Sequence, residues 1–234
     1  MSSIRNIACR WFLGSVIPML ALYSAAPLFG EEDPLIAKIK ATREFILKTM
    51  KETDYRESIR KSVLSYEDSL STHCKTVDLD FDSDLMKIRI LWPLEMSDKG
   101  VPVAGRWRER VPGTACNEKR LYNVQVDATK DGWRFTPTFP GGANGDPELQ
   151  QDTLRNIEMD LKMLPGNKKS CHGEVLDTRI VGPDSEIQKN GLMSEWSESW
   201  EVRSCGKLFT VPVRFIPDGK GTAISVGVSE IQVH

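Results

Sequence analysis

The sequence predicts an α+β protein built as a tandem repeat, each copy a helix followed by antiparallel strands and closed by one disulfide. Three observations carry this. Cys74, Cys116, Cys171 and Cys205 form an even set beyond the N-terminal segment, the count of a disulfide framework. Trp107 lies nine residues before Cys116, and Trp196 nine before Cys205. An apolar stripe of helical period precedes Cys74 and another precedes Cys171.

The elements follow in order. Residues 1–30 differ from the rest of the 234-residue chain. Arg5 and Arg10 give a basic start, no Asp or Glu precedes Glu31, and Trp11 to Ala26 are nearly all apolar or small. That is the pattern of a secretory signal peptide. The alternative is an uncleaved anchor, but the run is short of the roughly 20 residues a spanning helix needs, and Pro18 interrupts it. Ala26 and Gly30 are the two candidate cleavage points. The expected location is periplasmic or secreted. No Asn-x-Ser/Thr sequon occurs, which fits a bacterial better than a eukaryotic exported chain.

Residues 31–53 form an N-terminal helical segment on Leu35, Ile36, Ile39, Ile46 and Met50. The first repeat spans 54–140. Its helix is read from Tyr55, Ile59, Val63, Tyr66 and Leu70, at steps of four, four, three and four. After Cys74, the apolar Val77, Leu79 and Phe81 alternate with Asp78, Asp80, Asp82 and Asp84, a strand with its carboxylates in water. A calcium loop starting at Asp78 would need Gly and Glu where Ser83 and Arg89 stand. Pro112-Gly113 reads as a turn between Trp107 and Cys116; Tyr122, Val124 and Val126 mark a later strand, Asp131-Gly132 a turn, and Trp133 to Phe139 the last strand.

A linker follows at 141–146. It is rich in glycine but lacks the Gly-Lys-Ser/Thr end of a phosphate loop. The second repeat spans 147–234. Asp146 is placed to cap its helix, with Pro147 and Glu148 in the first turn, and Pro165-Gly166 to stop it. Leu154, Ile157, Leu161 and Leu164 give its apolar face. Val211, Val213 and Phe215 match Tyr122, Val124 and Val126 position for position, and Glu198 matches Glu109. The first copy is eight residues longer between its first cysteine and its tryptophan.

Four cysteines allow three pairings. The repeat selects Cys74–Cys116 and Cys171–Cys205, each a structural bond. No Cys-x-x-Cys redox pair occurs.

Function is read mainly by exclusion. The net charge is −2 and no basic block stands out, so no nucleic-acid partner is expected. No second apolar stretch is long enough to span a bilayer. No Gly-x-Ser-x-Gly, His-Glu-x-x-His or Ser-x-x-Lys motif appears, and no cofactor is implied. The adjacent pairs His73-Cys74 and Cys171-His172 would suit zinc only as free thiols, which an oxidising compartment disfavours. Trp107 and Trp196 read as core residues packed on the disulfides. Trp196 and Trp200, four apart among glutamates, are the candidate binding pair if they face out. The expected function is an exported, non-enzymatic module that binds a protein or cell-envelope component. The alternative is an extracytoplasmic hydrolase acting on a polymer through acidic residues, since carboxylates abound.

Overall fold

In a computed structural model, residues 34–49, 51–84, 86–164, 171–182 and 194–234 are described. The predicted signal peptide and the Pro165-Gly166 helix stop lie outside them. The described chain holds three α-helices, two antiparallel sheets and two disulfides, Cys74–Cys116 and Cys171–Cys205.

Helix α1 (Pro34–Thr49) leads into α2 (Thr53–Ser69). The first sheet follows: β1 (Val77–Leu79), β2 (Lys87–Met96), β3 (Pro102–Ala115), β4 (Glu118–Thr129) and β5 (Gly132–Thr138). β1 and β2 lie end to end along one edge of β3, then β4 and β5 continue as a meander. Helix α3 (Pro147–Met163) opens the second half, followed by β6 (Glu174–Ile180), β7 (Trp196–Ser204), β8 (Lys207–Pro217), β9 (Thr222–Val226) and β10 (Gln232–Val233). Here β9 and β10 share the outer edge of β8. Each half therefore has the expected order, a helix and then an antiparallel meander.

Alternation along the strands explains the cores. In β3, Trp107, Val111 and Ala115 turn to the helices, opposite Val126, Tyr122 and the start of β4. Tyr55, Ile59 and Val63 of α2 meet them there. In the second half Leu154, Ile157 and Leu161 of α3 cover Trp196, Trp200, Val202, Phe209, Val211, Val213 and Phe215. Asp146 caps α3 as expected, its side chain accepting from Leu149 N at 2.8 Å. β1 is only three residues long, yet Val77, Leu79 and Phe81 are buried and Asp78, Asp80 and Asp82 exposed, as alternation requires.

Three expectations are corrected. Tyr66 does not join the first core: its ring packs on the second, and its hydroxyl donates to Val175 O. Pro112-Gly113 makes no turn, because β3 runs straight through it, with β1 laid alongside and Asp80 N donating to Pro112 O at 2.9 Å. Trp107 and Trp196 do not pack on the disulfides. A strand rises about 3.3 Å per residue, so nine residues carry the cysteine about 30 Å away. Each second cysteine instead sits at the tip of a two-residue hairpin. Cys116 and Asn117 have φ of 48° and 67°, and Cys205 and Gly206 have 52° and 75°. Positive φ at both central residues is the type I′ turn that matches strand twist.

Candidate functional site

The helices cover one face of each sheet; the opposite face carries no helix, and in the first sheet the connector covers part of it, leaving Arg108, Asn123, Gln125 and Asp127 buried. Alternation assigns the open face of the first sheet to Lys87, Arg89 and Trp92 of β2, Arg106, Arg108 and Arg110 of β3, Asn123, Gln125 and Asp127 of β4, and Arg134 of β5. That of the second sheet carries Asp177, Arg179, Ser199, Glu201, Arg203 and Leu208.

The two open faces meet at the connector between the halves. Gly141 N donates to Leu121 O of β4 at 2.7 Å, and Gly142 N to Thr178 O of β6. A side chain at Gly141 is excluded. Its φ is 98°, and a Cβ there would lie 2.2 Å from Thr178 O and 2.3 Å from Thr178 N. This close approach brings the sheets edge to edge. Along the seam runs a groove of about 1110 Å³. Asp78, Asp80 and Thr114 form one wall, Leu121, Gly141 and Gly142 the floor, and Asp177, Arg179, Glu201 and Arg203 the other wall.

The connector then folds over the first sheet. Asn123 donates its amide to Phe139 O and Gly141 O at 2.8 and 3.0 Å. Arg108, only 4% exposed, donates to Ala143 O and Gly145 O at 3.1 and 2.8 Å. Burial, with Arg110 and Arg89 close by, pushes the Arg108 guanidinium down to about 10. Asn144 N donates to Glu198 Oε1 at 2.9 Å, so the connector is also bonded to the second core. Burial raises the Asp127 carboxyl, but donations from Arg106 and Gln125 outweigh it and hold the group below the usual range.

The residues singled out from sequence lie elsewhere. Cys74, Cys116, Cys171 and Cys205 are all in disulfides, so neither His-Cys pair offers a thiolate. His73 and His172 are exposed, near Asp68 and Glu158 respectively. The candidate binding pair faces inward, at 4% exposure for Trp196 and 0% for Trp200. Trp196 stacks on Phe215 with centroids 4.7 Å apart, and Trp200 meets Phe139 edge-on at 5.7 Å. Both are where β7 alternation puts even-numbered side chains, so the pair forms no open aromatic surface.

Trp107 and Trp196 do share one arrangement. Each indole donates to the buried glutamate two residues on, Trp107 to Glu109 Oε1 at 3.0 Å and Trp196 to Glu198 Oε1 at 2.9 Å. Tyr55 adds a second donor to Glu109, and Trp200 donates to Glu198 Oε2 at 2.8 Å. Burial pushes the Glu109 carboxyl up, against the hydrogen bonds from Tyr55 and Trp107. It lies inside the core and does not line the groove.

Sequence reasoning missed the open face of the first sheet. A signal existed: Arg106, Arg108 and Arg110 stand at alternate positions through Trp107 and Glu109, which puts three arginines on one side of a strand. No family model, curated protein or solved structure matches the chain.

Proposed function

We propose that the chain is an exported, non-enzymatic module whose open face binds a protein or cell-envelope component in the periplasm or outside the cell. The observation that carries this reading is the seam. The helices sit behind the two sheets, and the free faces join across Gly141-Gly142 into one groove with walls from both halves. An extended surface shared by two sheets suits a macromolecular partner, whose interfaces span about 800 Å² per side. The disulfides fit an oxidising compartment, and the basic, then apolar start of the sequence supports export. The domain reading stands with it: 54–140 and 147–234 are copies of one unit, supported by the matched Trp–Glu bonds and cysteine hairpin tips.

A photo-crosslinking residue at Thr114 or Leu208, one groove position from each half, is expected to give adducts in the native host. The same group at exposed Met159 of α3 should give none. Adducts from Met159 alone would overturn the assignment of the face.

The hydrolase reading retains one supporting observation: Asp78, Asp80, Glu118, Asp177 and Glu201 all line the groove. Cleavage of a purified envelope polymer that is lost in Asp177→Asn would establish it in place of simple binding.

A further inference from the structure

We propose that the open face of the first sheet, with Trp92 at its edge, docks an acidic patch of a partner protein; this rests on the binding-module reading above.

The chain as a whole carries a net charge of −2, so a strongly basic region has to be built locally. On the strands between Asp78 at one end of the face and Glu95 at the other, the side chains are Lys87, Arg89, Arg106, Arg108, Arg110 and Arg134 against one strand acid, Asp127, with Asp146 of the connector also close to Arg108. Asp127 is already engaged by Arg106 and Arg134. Arg134 remains 75% exposed on its side chain. A face of this sign attracts an anionic partner and raises its rate of encounter.

Trp92 stands on the edge strand β2, opposite Arg106 and three residues along from Arg89, at 65% exposure, the highest of any aromatic side chain among the described residues. Its position is enforced. β2 shifts register against β3 between Ile90 and Glu95, and Gly105 permits it. With φ of 119°, Gly105 has no Cβ to strike Pro93 O or Leu94, each of which a Cβ would approach within 2.7 Å. Leu94 thereby drops into the first core, 2% exposed, while Trp92 lies on the open side opposite Arg106. Tryptophan and arginine are the residue types most enriched at the energetic centres of protein–protein interfaces.

A linear polyanion, such as a sulfated glycan, would favour an unbroken row of cations. β3 has such a row in sequence, but its middle member is withdrawn: Arg108 is buried and gives its donors to connector carbonyls. The accessible cations are therefore spread across the sheet, Arg89 and Arg106 beside the indole and Arg134 three strands away, instead of forming a line. That arrangement fits an acidic protein patch with an apolar residue at its edge.

The test uses the disulfide-bonded protein, a synthetic Asp/Glu-rich peptide with one central leucine as probe, and heparin and phosphatidylglycerol vesicles as competitors. The Trp92 indole N–H signal is assigned by its loss in Trp92→Phe. At low salt the peptide is expected to move that signal. The double variant Arg89→Glu/Arg134→Glu should weaken binding at least about tenfold, and about 0.5 M salt should abolish it, as screening requires. Both substituted positions are exposed, and unchanged circular dichroism confirms the fold. A Trp92 signal unmoved by peptide overturns the proposal. So does displacement of the peptide by heparin or vesicles at lower concentration, which would assign the face to a glycan or lipid headgroup. Crosslinks from Thr114 and Leu208 do not depend on this charge, so their persistence would show that the acidic chemistry alone had failed.

Discussion

Replacing Trp196 by alanine tests the second core most directly. The indole is 4% exposed, stacked on Phe215 and bonded to Glu198. Truncating a buried tryptophan costs about 3–5 kcal/mol in lost burial and cavity. Glu198 would also lose a donor while staying buried, adding about 1–3 kcal/mol. The sum, about 4–8 kcal/mol, approaches the whole stability of a typical domain at about 5–15 kcal/mol. Trp196→Phe keeps most of the ring contact with Phe215 and loses mainly the donor, so about 1–3 kcal/mol is expected for the hydrogen bond. Guanidinium titrations of the oxidised protein, followed by far-ultraviolet circular dichroism, measure both. An alanine variant within about 1 kcal/mol of the parent would refute the core assignment, and would return Trp196 and Trp200 to candidacy as a surface.

Arg120→Ala leaves Glu67, fully buried and also bonded by Tyr122, without its cation. A loss of about 3–5 kcal/mol is expected in the same titration, because an unpaired buried charge remains; a neutral result would contradict the buried pair. Glu109→Gln tests the raised carboxyl. An acid whose folded pKa lies above its unfolded value of 4.5 contributes stability that is fully present below that value and lost as pH rises through the folded pKa. Relative to Glu109→Gln, the parent should therefore lose stability on going from about pH 4 to about pH 8, and a difference constant with pH would be inconsistent with the raised pKa. Export is checked by intact mass of the protein from its native host, which should lack about 25–30 N-terminal residues; recovery of the full-length chain from the cytosol would remove that part of the reading.

Much of the fold was legible because it depends on short-range pattern. The periods of Ile59 and Val63, and of Leu154 and Ile157, specify which side of each helix is apolar, and α2 and α3 form there. The Asp146-Pro147 start of α3 is local chemistry, a side-chain oxygen meeting a free backbone N–H within three residues. The disulfide pairing followed from matching the two halves, and the bonds Cys74–Cys116 and Cys171–Cys205 agree with it.

Other features depended on which strand lies beside which. Pro112-Gly113 reads as a turn in isolation, but β1 and β4 on either side hold β3 extended through it. Tyr66 continues the apolar stripe of α2, yet the second half supplies its neighbours. The direction of Trp92 is set by a register shift opposite Gly105, and no pattern within β2 specifies that. The sequence by itself determined the helix faces, the strand alternation, the caps and the cysteine pairing, because each is settled within a few residues or by comparing one half with the other. Only the tertiary structure decided that the open faces meet at Gly141, that Trp196 and Trp200 lie inside, and that the arginines of β3 share a surface with Lys87, Arg89 and Arg134. Those facts depend on contacts between segments far apart in the chain, where burial and charge are properties of the assembled sheet and not of any one strand.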